Sequence, residues 1–155
     1  MNDDSAESNL VRFGVHLPEA PTPFGAYVPA VQTGNLLFLS GMLATVGHAP
    51  AFVGILGRDL DVETGRKAAR TAALNALSLS RKQLGSLNRV RRVVRLGVSV
   101  AATPEFIEHP KVADAASELL RDIFGEGAMS TRLVIGVTSL PFGSPVALEV
   151  ILDVY

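Results

Sequence analysis

The sequence predicts an α+β sandwich, a mixed six-stranded sheet with two helices packed on one face. Three observations lead there. Two helix-period segments, about 62–84 and 110–124, each lie between strand-like runs, giving the order βββ-α-β-α-ββ. The strand runs are dominated by Val, Ile and Leu, residues that pack well on a pleated surface. Residues 21–57 carry no Asp, Glu, Lys or Arg, in a 155-residue chain with 14 cations and 15 anions.

The elements follow in order. Residues 1–19 open with a polar, acidic stretch and are expected to be flexible or partly ordered; a single domain spans 20–155. Ala26–Val31 and Leu36–Ser40 read as a hairpin, because Gly34 and Asn35 between them tolerate positive φ. Ala51–Leu56 is the third apolar run. Asp61 can cap a helix over about 62–84, Glu63 suits its positive end, and Gly85 can terminate it. Val90–Val100 is the strongest strand, with Arg89, Arg91 and Arg95 on one parity and Arg92 on the other. The second helix starts near Pro110, a residue suited to a first turn, and turns Val112, Ala115, Ala116, Leu119, Leu120 and Ile123 inward. Thr131–Ser139 and Val146–Val154 close the sheet.

The charge-free block admits two readings. Either both faces of its strands are buried within the domain, or one face packs against another subunit, whose interface core would also lack charge. Elsewhere charge is segregated: residues 58–95 carry ten cations against three anions, and residues 96–155 eight anions against three cations.

Composition excludes several functions. The chain has no Cys, so disulfides, thiolate catalysis and Cys-based metal sites are absent. No apolar stretch reaches membrane-spanning length, and the acidic start does not resemble a secretory signal, so a cytoplasmic protein is expected. His16, His48 and His109 show no metal-ligand spacing and read as loop or surface histidines. Neither a phosphate-binding glycine loop nor a GxSxG elbow occurs. The run Asn88–Arg95 has four arginines, but alternation splits them between faces and no aromatic residue interleaves, which argues against nucleic acid.

Two charges inside apolar strands stand out. Arg132 heads Leu133-Val134-Ile135, and Glu149 interrupts Val146-Ala147-Leu148 and Val150-Ile151-Leu152. Each is either a solvent-facing strand residue or a working group. A structural ion pair between the two is a further reading.

At these residues the sequence resembles the RidA/YjgF family, also called L-PSP endoribonuclease-like proteins, and looks like a divergent branch of it. Phe24-Gly25-Ala26-Tyr27 is similar to the family's Gly-Pro-Tyr start, and Gly34–Gly41 to its Gly-Asn-(apolar)-Ser-Gly strand. Ser130-Thr131-Arg132 with Leu140-Pro141 resembles its arginine-headed strand and Leu-Pro turn. Val146–Val150 resembles its closing glutamate strand. The resemblance implies a chorismate-mutase-like fold, a homotrimer with sites in the clefts between subunits, and another strand between those bearing Arg132 and Glu149. It also implies hydrolysis of reactive enamine/imine acids to 2-keto acids and ammonia, with no cofactor or metal.

By that resemblance Arg132 anchors a carboxylate, for which a planar, permanently charged fork is suited. Glu149 holds or activates water. Tyr27 walls the pocket, Ser40 and Gly41 offer hydrogen bonds, and Val134 offers backbone contacts where the family often has Cys. Ala26 replaces the family's Pro. Pro110 stands where many members have a ligand-contacting Asn, so that contact is expected to be lost. The alternative functions are a non-catalytic trimeric binder of a small carboxylate metabolite and, more weakly, an endoribonuclease.

Overall fold

Local chemistry places the helices as the sequence predicts. The computed structural model describes residues 4–155. Helix α2 spans Val62–Leu84 and is capped by Asp61, whose Oδ1 accepts the Thr64 N–H at 2.8 Å. It stops at Gly85, whose φ of 82° is open to glycine without steric penalty. Its Ala68, Ala69, Ala72, Ala73 and Ala76 are buried. Such small side chains allow helix α3 (His109–Phe124) to approach closely. At Gly65 of α2 a methyl group would lie 2.8 Å from Leu56 Cδ1 and 3.0 Å from Val112 Cγ2, so the packing there requires glycine. All six inward residues expected for α3 are buried.

The opening segment contains a helix that the sequence reading did not anticipate. Helix α1 covers Ala6–Arg12, capped by the Ser5 hydroxyl. Seven residues are too few for a helix to persist alone in water. Tertiary contacts supply the difference. The buried Asn9 side chain donates to the Ile123 carbonyl at 3.0 Å, and Glu7 Oε1 accepts the Leu87 N–H at 2.9 Å.

The main sheet has the order β1-β2-β8-β6-β7, with β3 also paired to β8. Its strands are β1 (Ala30–Thr33), β2 (Leu36–Leu39), β3 (Met42–Leu43), β6 (Val90–Ala101), β7 (Thr131–Val137) and β8 (Val146–Val154). A separate two-stranded piece joins β4 (Thr45–Val46) to β5 (Ala49–Pro50). Only β6 and β7 run parallel; the other pairs are antiparallel. Strand β6 separates β7 from β8, as the resemblance implied.

Three local expectations are corrected. The third strand is Met42–Leu43, not Ala51–Leu56; the latter run is irregular and reaches the sheet only where Leu56 N–H donates to Ala101 O at 2.9 Å. The first strand begins at Ala30, after Pro29, which has no N–H to give a ladder. The arginines do not follow simple parity either. Arg89 lies in a 3₁₀ turn (Leu87–Arg89), and β6 shifts register between Val90 and Arg92 and again between Val93 and Arg95. Val90, Val93 and Leu96 therefore all face the core, after which Leu96, Val98 and Val100 alternate normally.

Both helices cover one face of the sheet. The opposite face presents Val31, Phe38, Leu133 and Ile135 at 52%, 37%, 49% and 45% exposure, while Leu37 and Leu39 of the same β2 strand are buried. The charge-free block is thus buried on one side only within the chain. Among the described residues no helix is long and apolar enough to cross a membrane.

Candidate active site

Strand pairing decides which side chains can meet. On the open face, Glu149 of β8 lies directly across from Gly97 of β6. A methyl group at Gly97 would sit 3.3 Å from Glu149 Cβ, so the absent side chain leaves Glu149 room across the strand. Two residues earlier on β6, the Arg95 Nε–H donates to Glu149 Oε1 at 3.2 Å. Around this pair runs a groove of about 250 Å³, lined also by Gly41, Ser99, Leu133, Ile135 and Ala147.

Arg132 occupies the other face. It pairs with Leu96, a core residue, so its side chain runs toward the helices. There Arg132 Nη1 donates to Asp114 Oδ1 at 2.7 Å and to Ser117 Oγ at 3.1 Å, both on α3. With Glu118, Arg121, Met129 and Ser130 these residues line a second cavity of about 420 Å³. An ion pair between Arg132 and Glu149 within one chain is therefore ruled out; each has its own partner.

The remaining expected residues divide between these places. Gly41 lines the Glu149 groove. Val134 pairs with the buried Val98 and packs against the core, which leaves its backbone as the group it can offer. The Ser40 hydroxyl donates to Val28 O at 2.7 Å and its N–H to Pro29 O at 2.8 Å. Both bonds fix the loop before β2's partner strand, while the hydroxyl oxygen can still accept. The half-exposed Tyr27 hydroxyl accepts the Phe24 N–H at 3.0 Å, so its own proton can be donated outward. His109, beside Pro110, packs over strand β7: a methyl at Gly136 would lie 2.5 Å from its Nε2. Among the described residues no three His, Cys, Asp or Glu are grouped to hold a metal.

Sequence reasoning missed Arg95. Parity places it with Arg89 and Arg91 and assigns it no partner. In the structure each of the four arginines has its own acceptor: Arg89 the Tyr155 main-chain oxygen at 2.8 Å, Arg91 the Asp153 carboxylate at 3.1 Å, Arg92 the Gly127 carbonyl at 2.7 Å, and Arg95 Glu149. No spacing within the strand could have found it: alternation puts Arg95 on the same face as Val93, and the register shift that separates them leaves no mark in the sequence.

Similarity to known proteins bears on the same arrangement. The sequence profile of the family described as "YjgF/chorismate_mutase-like, putative endoribonuclease" matches residues 7–153. The chain belongs to this family. It is 40% identical over 147 residues to Protein TCP17 of Trypanosoma cruzi, covering 94% of this chain and 92% of that protein. The crystal structure of Atu1372 from Agrobacterium tumefaciens superposes with a TM-score of 0.89 at 36% identity, covering 97% of this chain and 92% of that one. A more distant relative, 27% identical over 137 residues, covering 87% of this chain and 91% of that protein, is a 2-iminobutanoate/2-iminopropanoate deaminase of Dermatophagoides farinae.

Proposed function

We propose that this protein hydrolyses small reactive enamine/imine carboxylic acids to 2-keto acids and ammonia in the cytoplasm, at clefts between the subunits of a homotrimer. The observation that carries the reading is Glu149, a carboxylate in an apolar groove next to a cation and a glycine gap. The kinship with a named imine deaminase supplies the reaction class.

The chemistry suits these groups. Starting from the protonated imine, Glu149 accepts a proton from water as the water oxygen bonds to the imine carbon and the C=N π pair moves onto nitrogen, giving a neutral carbinolamine. Returning that proton to nitrogen makes ammonia the leaving group, and Glu149 takes the hydroxyl proton as the C–N bond breaks, leaving the keto acid. No oxidant or covalent nucleophile is required. Arg132 is the proposed carboxylate anchor. Because Arg132 and Glu149 occupy opposite sheet faces, one cleft can use both only if they come from different copies. The apolar side chains left on the open face support such assembly, since burying them against other copies removes about 25 cal/mol of unfavourable exposure per Å².

The test generates 2-aminoacrylate in situ with a dehydratase and follows imine decay. Wild type should accelerate decay, and Arg132→Ala and Glu149→Gln should not, with the trimer intact. Saturable carboxylate binding without acceleration would replace this reading by a non-catalytic binder.

A further inference from the structure

We propose that Arg95 is a carboxylate-binding residue of the Glu149 groove, holding the anionic end of a small 2-imino acid beside the group that handles water. The identity of the substrate rests on the deaminase reading; the existence of an anion site at Arg95 does not.

The strand is bent to bring Arg95 there. Val93 is 2% exposed and faces the core, and regular alternation would point Arg95 the same way. The register shift between them turns Arg95 out to the open face instead. Bulges leave a residue unpaired and recur where a strand re-aims a side chain. This one delivers a cation into a groove whose only other charged lining residue is Glu149, the rest being glycine, alanine, valine, leucine, isoleucine and Ser99.

The guanidinium is only partly used. Its Nε–H goes to Glu149, and among the described residues neither Nη makes a hydrogen bond. The fork that binds carboxylates in parallel pairs is therefore available. Arg95 and Glu149 also match the ligand's polarity. In a 2-imino acid the carboxylate and the imine carbon are directly bonded, and here an anion-binding group and a proton acceptor are held in contact at 3.2 Å. The same chain's Arg132 is on the far face with Asp114, so it cannot serve this groove from within. A carboxylate has lone pairs for about four hydrogen bonds, enough for Arg95 together with an arginine from a second copy.

The experiment titrates 2-oxobutanoate, a keto-acid product, into the full-length protein by calorimetry. Wild type, Arg95→Ala, Arg95→Gln and Glu149→Gln are compared, with oligomeric mass and melting temperature recorded for each. Arg95→Gln keeps a donor toward Glu149, so it separates lost charge from lost packing. Both Arg95 variants should raise Kd about tenfold or more, the scale of one charge-assisted pair. Glu149→Gln should bind at least as tightly as wild type, because a competing anion has gone. In turnover, Arg95→Gln should raise KM more than it lowers kcat. Unchanged Kd in Arg95→Gln overturns the proposal. So does equal weakening in Glu149→Gln, which would make the pair a scaffold, or failure of wild type to bind. Wild type that binds through Arg95 yet hydrolyses no imine sinks the deaminase reading and leaves the anion site standing.

Discussion

Replacing Gly97 by alanine should separate stability from activity. Gly97 does not occupy the positive-φ region, so alanine fits its backbone. Removing glycine's freedom in the unfolded chain stabilises by about 0.4–1 kcal/mol. Against this, the new methyl would sit 3.3 Å from Glu149 Cβ and 3.9 Å from Glu149 O. The first contact is tighter than usual, and moving Glu149 by a few tenths of an ångström costs about as much again, within the ~1 kcal/mol expected of mild overpacking. The net change in stability should fall within about 1 kcal/mol of zero. The groove should fare worse, because the methyl fills the gap and pushes away Glu149, the group proposed to activate water. Misplacement on this scale should lower kcat/KM about tenfold. Urea denaturation alongside imine decay measures both quantities. Wild-type activity in a Gly97→Ala protein of wild-type stability would show that the groove is not where the chemistry occurs.

Other expectations test the framework around the groove. Gly136→Ala should destabilise by about 1–3 kcal/mol through collision with His109 Nε2, and His109→Ala should suppress most of that cost, so a double-mutant cycle by denaturation should be clearly non-additive. Asn9→Ala should cost about 1–3 kcal/mol and loosen α1, read as faster amide exchange over residues 6–12, because the Ile123 carbonyl loses its buried donor. The Asp61 carboxyl is held below its usual range, chiefly by its hydrogen bonds to Thr64. Its contribution is therefore present above the ordinary aspartate value and is lost as pH falls from there through the lowered folded-state value; Asp61→Asn, still a good cap, should flatten that part of the stability–pH curve.

The legible parts of the fold were those fixed by local chemistry. Asp61 and Gly85 mark the ends of α2 because a cap and a left-handed turn are nearest-neighbour effects. The apolar stripe of α3 follows from helical period alone. What could not be read depends on distant partners. Met42–Leu43 is a strand because β8 lies beside it, and its two residues carry no pattern of their own. Helix α1 exists through Ile123 and Leu87, more than seventy positions away.

The site shows the same division. Glu149 was visible as a charge within an apolar strand. Its partner was not, because a register shift in β6 resets the alternation on which parity arguments depend. That Arg132 and Glu149 face opposite ways follows from register across three strands, which no spacing within one strand reports.

Subunit mixing shows whether each cleft is shared between copies of the chain. Arg132→Ala and Glu149→Gln proteins, each inactive alone, would be co-expressed with different tags and the mixed oligomers assayed for imine decay. If every cleft takes Arg132 from one chain and Glu149 from its neighbour, random equal mixing in a closed ring restores about one quarter of wild-type activity. If both residues served from the same chain, no mixed cleft would be complete, and an absence of recovery would contradict the account.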